Sequence, residues 1–129
     1  MATFQPELWV DEAARAVAFY AAAFGATVLH PVGEGDDIVA QLAVDGAAFW
    51  VSAASVELGR LSPRAAGGRT GRTLLVVDDP VGTVARAEAA GATITAPVAD
   101  EHGWQVGRIV DPFGHEWEIG RPLGIWPPH

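Results

Sequence analysis

Apolar and polar residues alternate from Phe4 to Val10, with Phe4, Pro6, Leu8 and Val10 on one side and Gln5, Glu7 and Trp9 on the other. That two-residue period predicts a half-buried strand and sets Gln5, Glu7 and Trp9 on one face of it. The spacing then changes to three and four at Ala13, Ala16, Val17, Tyr20 and Phe24, the stripe of an amphipathic helix. Asp11 stands where a cap for its N-terminus belongs, and Gly25 where the helix should stop. Three strands are expected next, over 26–32, 37–44 and 47–53, the last two joined tightly at Asp45-Gly46. The first half therefore reads βαβββ.

The same order then recurs. Gly25-Ala26-Thr27 returns as Gly91-Ala92-Thr93, each copy closing a helical stretch and opening an apolar run. Arg72 to Val77 predicts a strand, Asp79 a cap with Pro80 at the first helical position, and Val81, Val84 and Ala85 the apolar stripe. Strands over 92–98, 104–110 and 115–120 complete a second βαβββ unit. Residues 55–70, with Pro63, Gly67, Gly68, Arg60, Arg64 and Arg69, show neither period and read as a linker. The tail from Leu123 to His129, with Trp126-Pro127-Pro128, should lie extended against the body or a partner subunit. The expectation is one α+β domain spanning 1–129, built of repeats at about 4–54 and 71–121. Duplicated half-domains commonly share a cleft, and function is sought there.

Composition narrows the possible partners. A chain of 129 residues that is 50% hydrophobic supports one core rather than two independent domains. No run approaches the roughly 18 apolar residues of a membrane span. The start, Met1-Ala2-Thr3-Phe4-Gln5-Pro6-Glu7, lacks the basic and apolar regions of a signal peptide, and there is no Cys, so a cytoplasmic protein is expected. The formal net charge of −8, with eight Arg and no Lys, disfavours nucleic acid and anionic membranes but tolerates neutral or cationic ligands.

Two βαβββ units of this size carry Val10-Asp11-Glu12, Phe19-Tyr20 and Phe24-Gly25 in the first and the phrase from Val110 to Glu118 in the second. In these features the chain resembles the vicinal oxygen chelate superfamily over about residues 4–122. That group includes glyoxalase I, fosfomycin-resistance enzymes, extradiol dioxygenases and metal-free bleomycin-resistance proteins. The resemblance implies a curled eight-stranded cup, usually completed by homodimerisation. It also implies that the four metal-ligand positions of the family fall on Gln5, Trp50, Arg72 and Glu118.

A catalytic divalent site normally has three protein ligands with free lone pairs. Gln5 and Glu118 supply two at best, Trp50 none, and Arg72 would put a permanent cation where the metal would sit. An ion pair from Arg72 to Glu118 in place of a metal bridge is the expectation, so no cofactor is predicted. His30, His102, His115 and His129 share no ligand spacing and read as surface or turn residues, His115 pointing away from the cup. His102 opens the loop that commonly walls the cleft in this fold.

Five Trp are present. Trp9 shares a face with Gln5, Trp50 takes a ligand position, and Trp104 lies in the stretch Asp100 to Gln105, read as a loop able to close the cleft. Trp117 and Trp126 read as core or interface residues. The ligand-binding set is thus Gln5, Glu7, Trp9, Trp50, Arg72, His102, Trp104 and Glu118. A metal-independent module that sequesters an aromatic or cationic small molecule, as bleomycin-resistance proteins do, fits it best. A glyoxalase I-like lyase or isomerase is the alternative, using a divalent metal on Gln5 and Glu118 with His102 as a conceivable third ligand. Metal-free acid/base catalysis by Glu7 or Glu118 stays open as a third reading.

Overall fold

A computed structural model describes residues 1–127. Pro128 and His129 lie outside the described residues, and with them the end of the expected tail and the surface reading of His129. The order is β1 (Glu7–Val10), α1 (Ala13–Phe24), β2 (Thr27–Val32), β3 (Val39–Val44), β4 (Ala47–Ala53), α2 (Pro63–Ala66), β5 (Thr73–Val76), α3 (Pro80–Ala89), β6 (Thr93–Glu101), β7 (Trp104–Val110) and β8 (Glu116–Pro122). The strands form two four-stranded sheets, ordered β1-β4-β3-β2 and β5-β8-β7-β6. In both, the first strand of the unit runs parallel to its last and the remaining pairs are antiparallel. The architecture is α+β, with two βαβββ modules forming an open cup.

Alternation decides what each sheet buries. Leu8 and Val10, Leu42 and Val44, Phe49 and Val51 face inward from the first sheet; Leu75, Ile109, Trp117 and Ile119 do so from the second. Between them lies α1, burying Ala13, Ala16, Phe19, Tyr20, Ala23 and Phe24 and packing against α3. Trp117 enters the first module's core, its ring centroid 4.9 Å from Phe24 and 5.7 Å from Phe49. Both modules thus share one core, and the side of each sheet away from it stays open.

Several boundaries differ from expectation, each for a local reason. Pairing with β4 begins where Trp50 N–H donates to Pro6 C=O, at 2.8 Å, so β1 starts only at Glu7 and Phe4 is fully exposed. The N-cap of α1 is Glu12 rather than Asp11; it makes no capping hydrogen bond and instead pairs with Arg15 at 2.6 Å. In the second module Asp79 does cap α3, accepting from Gly82 N–H at 3.0 Å. Gly25 ends α1 in the left-handed region, φ 69°.

The linker is more ordered than its composition implied. Ser55 and Arg60 form a bridge, and buried Ser62 caps the single-turn α2 by accepting from Ala65 N–H at 3.2 Å. Ser followed by Pro is itself a helix-start signal. The stretch Asp100 to Gln105 is a hairpin rather than a closing loop. Glu101 pairs with Trp104 across a tight turn, where His102 and Gly103 have φ 50° and 83°.

Candidate functional site

Side chains on the open faces follow from register. Across the first sheet, Glu7 lies opposite Trp50 and Trp50 opposite Gln41. Just before β1, the Gln5 Oε1 accepts from Trp50 Nε1 at 2.8 Å and from Gln41 Nε2 at 3.1 Å. Gln5, Gln41 and Trp50 form a neutral cluster whose polar groups satisfy one another, with Glu7 the carboxylate beside it.

The second open face is charged. Arg108 lies opposite Glu118 on neighbouring strands, and Leu74 lies opposite Glu118 on the other side. Arg72 Nε is 3.2 Å from Glu118 Oε1, so the ion pair expected between them is present, and Arg108 Nε is 3.1 Å from Glu118 Oε2. Arg108 continues to Glu101 at 3.0 Å, while Arg72 reaches Glu116 at 3.3 Å and Arg69 reaches the same carboxylate at 3.7 Å. The hydrogen bond to Glu101, above all, raises the Arg108 pKa and fixes it as a cation. The result is a ladder of alternating charges in which each Glu118 oxygen faces a guanidinium.

Beside this ladder opens a cavity of about 380 Å³. Leu74 and Val106 give it an apolar floor, Trp104, Trp126 and His102 form its walls, and Glu101, Arg108 and Glu118 line the remaining side. The two indoles meet edge to face, centroids 5.3 Å apart at 74°. Leu123 N–H donates to Gly103 C=O at 2.8 Å, which anchors the tail to the β6–β7 turn and brings Trp126 over Trp104. Trp126 is therefore neither core nor strictly extended tail; it is about half exposed at the cavity wall.

The expected site residues divide into three groups. Gln5 and Trp50 stay on the first open face, while Arg72 and Glu118 meet on the second, with His102 and Trp104 beside Glu118. Glu7 and Trp9 line a separate cavity at the seam between the modules, together with Arg72. His115 belongs to that seam as well, its Nε2 2.8 Å from Trp9 C=O. Arg108, Glu101 and Trp126 were missed, because strand register and the course of the tail have no local signature.

Asp111 holds the modules together from within. It is buried, 3% exposed, and accepts from Tyr20 Oη at 2.5 Å, Trp117 Nε1 at 3.0 Å, Phe113 N–H at 2.9 Å and His115 N–H at 3.0 Å. Burial first, and then the Asp111 charge and hydrogen bond, push the Tyr20 pKa well above its ordinary 10.0.

The donor set does not fit a divalent metal. Gln5 Oε1 already accepts twice, Trp50 is a donor only, and both Glu118 oxygens face guanidinium groups. Among the described residues no cluster of three or more His, Cys, Asp or Glu is spaced to hold one.

Fold and site together define a two-module cup with an aromatic, ion-paired pocket. Residues 3–119 match the model of the Glyoxalase/Bleomycin resistance protein/Dioxygenase superfamily, and the chain belongs to that family. An uncharacterized protein of Mycobacterium bovis is 35% identical over 124 residues, covering 92% of this chain and 82% of the relative. Among solved structures, TioX from Micromonospora sp. ML1 has TM-score 0.71 at 27% identity, covering 96% of this chain and 98% of its own. The fosfomycin resistance protein FosX from Listeria monocytogenes, complexed with Mn(II) and dihydroxypropylphosphonic acid, has TM-score 0.72 at 13% identity, covering 97% and 91%; it shares the fold.

Proposed function

We propose that this protein binds a flat aromatic small molecule, without a metal, in the cavity walled by Trp104 and Trp126. The observation that carries the reading is the pairing of two indole walls with a Glu118 carboxylate already held between Arg72 and Arg108. Indole faces favour stacked aromatic partners, by about 0.5–1.5 kcal/mol per pair beyond the area buried. The same indole faces favour a ligand that also carries positive charge. His102 sits at the rim and Arg72 positions Glu118 from behind. The role is sequestration of the bleomycin-resistance kind, contributing to drug resistance in the cytoplasm, rather than lyase chemistry.

A second copy completes the cup in this reading. Leu74 and Val76 on the second open face, and Val32 and Val39 on the first, are exposed apolar groups facing away from the core. Gln5 and Trp50 of one protomer then close over the Trp104 cavity of its partner. Sedimentation velocity is expected to give a dimer.

The direct test titrates quinoline and N-methylquinolinium while Trp fluorescence is recorded, after elemental analysis of protein purified without chelator. Saturable quenching that Trp104→Ala abolishes, unaltered by EDTA, is expected. Stoichiometric bound Ni, Zn or Mn required for binding would overturn the reading and direct assays to glyoxalase chemistry.

A further inference from the structure

The stretch from Ser55 to Arg72 carries Arg60, Arg64, Arg69 and Arg72 against Glu57 alone, a formal +3 within a chain whose total is −8. Half of the arginines are therefore concentrated in one short segment of an acidic protein. Three of them reach a group of adjoining cavities at the seam between the modules, and Arg69 lines all three cavities. The cavity of about 370 Å³ joins two kinds of surface. Leu8, Trp9, Leu61 and Pro63 form an apolar side; Arg69, Thr70 and Arg72 form a polar one.

The guanidiniums there retain donors. Arg69 uses Nε toward Glu116 and Nη1 toward Gly114 C=O; Arg72 uses Nη1 toward Glu116 and Nε toward Glu118. Each has five N–H groups, Nη2 of both has no hydrogen-bond partner among the described residues, and both side chains are well exposed, at 39% and 45%. The N–H groups of Arg69, Thr70 and Gly71 are also exposed and have no backbone acceptor among the described residues. Arg64, Arg69 and Arg72 line the cavities against Glu7 and Glu116, leaving one positive charge in excess.

A second observation comes from the glycines. Most either adopt positive φ or would meet a neighbour if given a Cβ; Gly68, Gly71 and Gly124 do neither, with nothing within 4 Å. Two of these three lie in the basic segment. Neither the backbone conformation nor the packing of the free protein calls for glycine at 68 or 71. A bare backbone there gives room for an approaching ligand.

We propose that the seam cavity is a second binding site, for a small organic oxyanion: a phosphomonoester or carboxylate whose body lies on Trp9 and Leu61. Arg69, Arg72 and the N–H groups of Thr70 and Gly71 hold the oxyanion, in the forked geometry that suits guanidinium to such groups. The site is separate from the Trp104–Trp126 cavity and stands or falls independently of it.

Calorimetric titration with phenyl phosphate, benzoate and the cation phenyltrimethylammonium tests the assignment. In a Trp104→Ala background, which disables the indole-walled cavity, saturable binding of phenyl phosphate or benzoate, but not of the cation, is expected; whichever binds more tightly identifies the oxyanion class. Arg69→Gln should weaken that binding by about tenfold or more, the worth of a charge-assisted hydrogen bond. Gly71→Ala should weaken it too while leaving the melting temperature unchanged or higher, a split that a purely structural role would not produce. Where Trp104 is kept, quinoline binding should survive both substitutions. Absence of saturable anion binding, or anion affinity indifferent to both Arg69→Gln and Gly71→Ala, would overturn the proposal.

Discussion

The two modules share one topology yet use it differently at matching places. The β3–β4 connection turns at Asp45-Gly46, both at positive φ, with Asp45 exposed and holding no side-chain partner among the described residues. The β7–β8 connection places Asp111 in the core, where it accepts from two side chains and two backbone N–H groups. The open faces diverge in the same way: an amide and indole cluster at Gln5, Gln41 and Trp50 against the charge ladder from Glu101 to Arg69. A duplicated backbone therefore specifies where side chains point, not what they do. In this protein the second module carries both the interlock and the charged pocket.

The most severe way to break the comparison is at the two aspartates. Asp111→Ala leaves Tyr20, Trp117 and two backbone donors without their acceptor and should cost on the order of 3 kcal/mol or more. Asp45→Ala, at a surface turn, should stay within about 1 kcal/mol. Urea denaturation of both variants reads the contrast, and equal losses would refute the division of roles.

Alkaline titration tests the same interlock from the other side. Tyr20 is the single tyrosine, so absorbance of the phenolate reports it alone. Because its folded pKa is raised above 10.0, the stabilising contribution is complete below that value and is lost as pH rises through the folded one. Phenolate should thus appear together with unfolding, well above the ordinary range. Ionisation near pH 10 without loss of structure would show that Asp111 and burial do not control it.

A smaller difference separates the open faces. Glu118→Gln removes the carboxylate shared by Arg72 and Arg108, which keep Glu116 and Glu101, so a loss of about 1 kcal/mol is expected, shrinking with salt. Gln5→Ala should cost no more than about 0.5 kcal/mol and show no salt dependence, as its bonds are neutral and exposed. Smallest for stability is Trp126→Ala, near zero because the ring is half exposed, although quinoline quenching should weaken markedly.

Much of the fold was legible because it rests on local rules. Gly25 closes α1 and Asp79 with Pro80 opens α3 as their types require. Ser62-Pro63 carried an equally local signal for α2, obscured by the glycines and arginines that follow it. Asp11 misled because Glu12 takes the cap position without a capping bond, its side chain being drawn to Arg15. Of the candidate site, the ion pair between Arg72 and Glu118 was expected from the ligand positions that the family resemblance puts on those two residues. The role of Asp111 was not, since a turn aspartate and a buried hub look alike in one dimension.

The sequence by itself determined the two βαβββ modules and the inward and outward face of most strands, because side-chain period and turn chemistry are properties of neighbours along the chain. Only the tertiary structure decided which outward residues meet. Arg108 joins Glu118 through strand register, Trp126 reaches Trp104 through the path of the tail, and Tyr20 finds Asp111 across 91 positions of sequence. Such meetings depend on how two whole modules pack around one core, and no local pattern encodes that packing.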